Sequence, residues 1–318
     1  MPPALRALRI RLEAAIVAAL RGATALLPLR WVSVPGAGMG WALYAVLRLS
    51  RRTTLDNLAI AFGDRLGAPE RERLARACYR FFGAVIWEFL NAPRIPRARI
   101  GEFITLENPE VVERALARGR GVVLVSGHLG HWELMAAGLA ARGFPITMYV
   151  GGQGNALVDA AINAIRRALG SRTVGRGATR GIFKALRAGG LVALLADQHE
   201  SSRRQHVAFF GRPVSAVSGP FHMARRSGAA LLFGACLREG RFRYRARFQE
   251  LTPPPPSGDE QRDLLAVTQL LFTALEAVVR SHPEQYFWMH RRFRLVTAAE
   301  LTETNRAFLA AQGVHAAP

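Results

Sequence analysis

Residues Gly121–Glu133 read GVVLVSGHLGHWE. Val122–Val125 is a short β-branched apolar run bounded by glycines, the pattern of a buried strand. His128 follows the strand at once, Glu133 lies five residues on, and an apolar helical run, Leu134–Ala141, stands behind. On a continuous helix an i, i+5 pair sits about 140° apart. The two side chains therefore meet only if Leu129–Gly130 turns and the helix starts near His131, which the composition allows. Glu133 then falls in the first helical turn, where the helix dipole favours an ionised carboxylate. Beside His128 it would fix the imidazole tautomer and leave the other ring nitrogen free to take a proton from a hydroxyl. Ser126 belongs to no GxSxG, so the attacking hydroxyl is expected from a second substrate.

Working outward, the pattern from Ile100 onward alternates. Helices are expected at Pro109–Ala117, His131–Ala141, Leu157–Leu169 and Arg180–Ala188, and strands at Val122–Val125, Ile146–Val150 and Leu191–Ala196. Strands separated by helices predict an α/β fold with a mainly parallel central sheet flanked by helices. Leu231–Cys236 and Phe242–Glu250 read as late strands, the second as an edge strand because arginines alternate with aromatic or small residues. Asp259–Ser281 reads as a long helix.

Before this core, Arg51–Asn91 reads as two helices joined at Gly67-Ala68-Pro69. The second, Pro69–Leu90, carries an apolar and aromatic stripe expected to be core. The first 50 residues hold apolar runs cut by arginines and interrupted by Pro35 and Gly36, too short and broken for a clean spanning helix. Arginines flank them on both sides, which fits a helical region lying on a membrane, with Trp31, Trp41 and Tyr44 as interfacial anchors. Core helices of a soluble protein are the competing reading. The expected domains are thus 1–50, membrane-associating; 51–297, catalytic; and 298–318, a peripheral tail.

Half of the 318 residues are apolar, enough for a large core, which excludes a disordered chain. The net charge is +20, and Lys184 is the only lysine, so the excess is almost entirely arginine. It implies an anionic partner: a phospholipid surface, an acidic or phosphorylated substrate, an acidic carrier protein or nucleic acid. No base-stacking cluster or recognition motif supports the last. Cys78 and Cys236 fit no metal or redox spacing and read as buried thiols. No secretory signal pattern opens the sequence.

Three further places carry chemistry. The strand Leu191–Ala196 ends in Asp197 and Gln198, and side chains at carboxyl ends of strands line the ligand crevice of an open α/β sheet; His128 also follows a strand. Arg166, with Arg167, Arg172 and Arg176 near it in sequence, could clamp a phosphate or a developing oxyanion. His206–Val214, HVAFFGRPV, reads as an aromatic-glycine turn before a helix at Val217–Arg226.

With NLAIAF at Asn57–Phe62, SGHLGHWE at Ser126–Glu133, ADQ at Ala196–Gln198, FFGRPV at Phe209–Val214 and PEQYFWMHRRF at Pro283–Phe293, the chain resembles the lipid A late acyltransferases. These are the lauroyl/myristoyl acyltransferases of Gram-negative bacteria, within the lysophospholipid acyltransferase superfamily. Each motif alone is weak; five in order are not. The resemblance carries the HX4E dyad onto His128 and Glu133, a downstream arginine onto Arg166 and a strand-end aspartate onto Asp197, with Gln198 beside it in the substrate site. The chain departs at His131, where many relatives carry Asn, and at Arg294, often Lys.

The resemblance implies transfer of a fatty acyl chain from acyl carrier protein to a hydroxyl of a glycolipid such as a lipid A precursor. It places the protein at the cytoplasmic face of the inner membrane, with no cofactor and no nucleic-acid partner. A chain of about twelve carbons carries on the order of 10 kcal/mol of transfer free energy, at roughly 0.8 per CH₂, and so calls for a long apolar groove. The rival from another class is a metal-dependent hydrolase using His128, His131 and Glu133 with Asp197 or His199. Its HxxHxE straddles a predicted turn, unlike the i, i+4 histidines of HExxH.

Overall fold

A computed structural model describes residues 3–152, 154–175, 177–198 and 204–316. Four helices come first: α1 Pro3–Thr24, α2 Ser33–Ala45, α3 Arg51–Phe62 and α4 Ala68–Asn91. The α/β part follows with β1 Ile104–Leu106, α5 Glu110–Ala117, β2 Val122–Ser126, α6 Trp132–Ala141, β3 Ile146–Val150, α7 Ala156–Ala168, β4 Arg172–Gly175, α8 Thr179–Arg187 and β5 Leu191–Leu195. It closes with β6 Arg204–Phe209, β7 Arg212–Val217, α9 Gly219–Ser227, β8 Ala230–Gly240, β9 Arg243–Glu250, α10 Glu260–Ser281 and α11 Glu303–Ala311.

Seven strands form one sheet in the order β1-β9-β8-β2-β5-β3-β4, parallel at every pairing but β8–β9. β2, at its centre, is buried along its whole length. Its register against β5, Ser126 opposite Leu195, brings the two strand ends level. His128 and Asp197 therefore leave the sheet at the same edge. Helices cover both faces, and the apolar residues fall into one core on each side.

β9 is not an edge strand. It lies between β1 and β8, with Tyr244, Ala246 and Phe248 buried and the arginines between them exposed. Its period-2 alternation records a half-solvated sheet face, and the edge is taken by the three-residue β1. HVAFFGRPV is likewise more than a turn: β6 and β7 form a two-stranded antiparallel hairpin turning on Phe210 and Gly211, both at positive φ, the conformation of a type I′ turn. The tail packs too, with Leu301, Leu309 and Val314 in a small apolar cluster of their own.

α10 is the one helix among the described residues long and apolar enough to cross a membrane. Its apolar face, with Leu265, Leu271, Phe272, Leu275 and Val279, is buried in the core.

The N-terminal helices are joined to this body through backbone contact. α2 crosses α4 where Gly36 and Gly40 meet Gly83, and a Cβ on Gly40 would overlap the Tyr79 carbonyl. Tyr44 is not an interfacial anchor: it is 1% exposed, hydrogen-bonded to Glu72 and edge-on to Tyr79. α1 is tied by Asn155, which donates to the Ile10 carbonyl at 3.0 Å and to Glu13 at 2.6 Å. Even so, Leu26, Trp31, Trp41, Leu47 and Leu49 remain 48–97% exposed, alongside Ile86 of α4.

Candidate active site

The loop between β2 and α6 is pinned on two sides. Gly130 N–H donates to the Gln285 carbonyl and His131 N–H to the Cys236 carbonyl, both at 2.8 Å, while Phe287 N–H donates to the His128 carbonyl at 2.9 Å. Gly130 sits at φ +62 with its Cα against the Cys236 carbonyl, leaving no room for a Cβ. Only glycine fits both conditions.

This geometry sets the partner of His128. Its Nδ1 lies 2.7 Å from Asp197 Oδ1, and its backbone N–H donates to Asp197 Oδ2 at 2.9 Å. Asp197 is 2% exposed. Burial pushes its carboxyl up, but the His128 ring, the two hydrogen bonds from His128 and the charge of Arg292 outweigh that and hold it at about 2. The ionised carboxylate fixes a proton on Nδ1 and leaves Nε2 as the basic nitrogen. The His128 side chain is 19% exposed, with the rings of Trp132 at 5.2 Å and Phe287 at 6.2 Å beside it.

The expected contact between His128 and Glu133 is corrected. Among the described residues no hydrogen bond joins them. α6 begins at Trp132, and the Glu133 carboxylate closes onto Arg166 of α7: Arg166 Nη2 to Oε1 at 2.5 Å, Nε to the two oxygens at 3.0 and 3.1 Å. Arg166 Nη1 donates to Asn163. Both charges are buried, and every Arg166 nitrogen has a partner. The guanidinium expected to grip a phosphate or oxyanion is thus spent on fixing the start of α6 against α7.

His131 caps α6, its Nδ1 accepting from Leu134 N–H at 3.2 Å. Burial, then the nearby Arg238, depress it to about 3. It stacks edge-on against Tyr244, whose hydroxyl binds Glu88 of α4, and Glu88 pairs with Arg238 at 2.6 Å. The departure at residue 131 therefore preserves a helix cap. The metal-hydrolase reading loses its ligands here: His131 is a cap, Glu133 belongs to Arg166, and no group of three His, Cys, Asp or Glu side chains converges among the described residues. His199 and Arg176 lie outside the described residues.

Gln198 is half-buried and lines a small cleft with His128, Asp197, Tyr286, Phe287, His290 and Arg292. The last four come from PEQYFWMHRRF. Asn57 of NLAIAF holds this segment, donating to the carbonyls of Trp288 and His290 at 2.8 and 2.7 Å. The segment also contributes Arg292 to the cleft wall while Arg291 is exposed. The Tyr286 hydroxyl is pushed well above its ordinary value by burial and by Asp197.

A histidine held by a buried aspartate, in a cleft whose described lining holds no Ser, Thr or Cys, has the arrangement of a group-transfer site that works on a second substrate's hydroxyl. Residues 2–295 match the family model described as bacterial lipid A biosynthesis acyltransferase, and the chain belongs to that family. It is 27% identical over 278 residues to the lipid A biosynthesis palmitoleoyltransferase of Escherichia coli K12, covering 83% of this chain and 87% of that one. The lauroyltransferase of the same organism is 24% identical over 262 residues, 81% and 84% of the two chains. A phosphatidylinositol mannoside acyltransferase of Mycobacterium tuberculosis H37Rv is 27% identical over 296 residues, 85% and 90% of the two chains.

Proposed function

We propose that the protein transfers a fatty acyl chain from an acyl carrier protein thioester to a hydroxyl of a lipid A precursor or related glycolipid, with His128 as general base. The observation that carries the mechanism is the 2.7 Å contact between His128 Nδ1 and buried Asp197. Nε2 takes the acceptor's proton as its oxygen attacks the thioester carbonyl. The tetrahedral intermediate collapses with loss of the carrier thiolate, which recovers the proton from His128. Glu133 and Arg166 hold α6 and the loop in register, a positioning role, and Gln198 faces the substrate.

Phe81, Phe82, Trp132 and Phe287 form an aromatic wall beside His128, and Ile86, one turn beyond Phe82 in α4, is exposed. This wall supports an apolar route for the acyl chain. The exposed apolar side chains of residues 26–49, bordered by Arg30, Arg48, Arg51 and Arg52, suit an anionic membrane surface at the cytoplasmic face of the inner membrane. Residues 1–50 would be the membrane-associating region and 51–297 the catalytic domain, and the positive charge would also meet the acidic carrier.

The test is purified His128→Ala with acyl carrier protein thioester and glycolipid acceptor, the product read by mass spectrometry. General-base loss predicts a fall of at least about a hundredfold with thermal denaturation unchanged. Turnover equal to wild type would remove the mechanism.

A further inference from the structure

Arg292 is 3% exposed, stacked over Phe272 at 5.0 Å and Phe209 at 5.7 Å. Nη1 donates to the Ser215 carbonyl at 3.1 Å, and neither Nε nor Nη2 has a hydrogen-bond partner among the described residues. A guanidinium stays protonated in proteins, and a buried charge without an opposite partner is costly. Arg292 shares its cleft with a second buried charge, Asp197. When His128 is neutral and ready to act, the His128–Asp197 pair carries one net negative charge out of water, and that charge also needs compensation.

Among the described residues the groups facing this pair are few. Tyr286, His290 and Arg292 come from the C-terminal segment. α10 contributes the apolar Leu275, packed where Gly127 and the Asp197 carboxylate meet.

We propose that Arg292 is the counter-charge of the His128–Asp197 pair: a positioning residue that keeps Asp197 ionised and seated while His128 waits as a free base. This inference rests on the His128 mechanism above. Without the cation, the pair retains a proton to neutralise itself, on His128 or on Asp197, and either form disables the base. Deprotonation then requires a higher pH. Removing an opposite charge that faces the pair across the cleft shifts this deprotonation by about one unit or more.

The experiment compares acyl-transfer pH profiles of wild type, Arg292→Lys, Arg292→Met and Asp197→Asn, all in the full chain. Arg292→Lys should keep the acidic limb in place. Arg292→Met should move it upward by about one unit or more, so that activity lost near neutrality returns in alkaline buffer. Coincident limbs in the two Arg292 variants, or equal losses in both at every pH, would overturn the proposal. Wild-type turnover in Asp197→Asn would instead overturn the underlying mechanism. Thermal denaturation gives a second readout that holds even if Arg292→Met folds poorly. The double variant Asp197→Asn/Arg292→Met, with both charges gone, should melt above Arg292→Met alone; an equal or lower midpoint would also refute the pairing.

Discussion

Changing Asp197 to asparagine separates the partner the structure gives His128 from the one its sequence spacing suggested. Asparagine matches aspartate in shape, but its amide offers one acceptor where the carboxylate accepts two hydrogen bonds from His128, at 2.7 and 2.9 Å. The imidazole either loses the hydrogen bond at Nδ1 or moves its proton to Nε2, where it blocks the base. The corresponding change in a Ser-His-Asp triad costs about 10⁴ in kcat, so we expect a loss on the order of 10³–10⁴, about 4–5.5 kcal/mol of activation free energy. The melting temperature should fall as well, because the buried Arg292 loses its counter-charge, so turnover is the readout that discriminates.

Glu133→Gln should keep most of its turnover and lose stability alone. It strands the Arg166 charge in a site where both side chains are under 10% exposed. Breaking such a pair costs about 3–5 kcal/mol, or about 4–8 °C in Tm for a chain of this length. Steady-state transfer and differential scanning fluorimetry on the two variants in the same detergent decide the matter. If Glu133→Gln lost a thousandfold in turnover with its Tm intact while Asp197→Asn worked normally, the His128–Asp197 assignment would be wrong.

Two further outcomes test the scaffold. His131 is held neutral, with its folded value near 3 against 6.5 unfolded, so the unfolded chain binds an extra proton between those values and stability falls as pH drops from 6.5. That loss is about 1.6 kcal/mol on going to about pH 5, and His131→Asn, which keeps a cap acceptor, should abolish it in urea titrations at the two pH values. At the crossing of α2 and α4, Gly40→Ala drives a methyl into the Tyr79 carbonyl; overpacking of this kind costs about 1–3 kcal/mol, visible as a lowered Tm.

Much of the fold is legible because its strands are continuous apolar runs. Ile146–Val150 is found where the pattern puts it, and Val122–Val125 extends by one residue. β4, Arg172–Gly175, is hidden because it is polar and half-exposed and is fixed only by pairing with β3. The β6–β7 hairpin is hidden for another reason. Phe210 is a poor turn residue locally, and its conformation is held by burial against Trp288 and Phe62 and by Glu276 accepting from its N–H.

The site follows the same logic. Glu133 is close to His128 in sequence, while Asp197 is 69 residues away and reaches it only because β2 and β5 lie side by side in register. The spacing of motifs marks which residues matter; the order of strands decides which of them touch.

The seam joining the His128 loop to residues 285–287 bears on how the protein is born. A ribosome that has reached the end of α10 has already made His128, Glu133, Arg166 and Asp197, but Tyr286 and Arg292 do not yet exist and Gly130 has no carbonyl at Gln285 to bond. Domains fold as units during synthesis, and this unit closes only when the segment beyond α10 has left the exit tunnel. Until then the nascent polypeptide lacks the seam that holds the His128 loop in place.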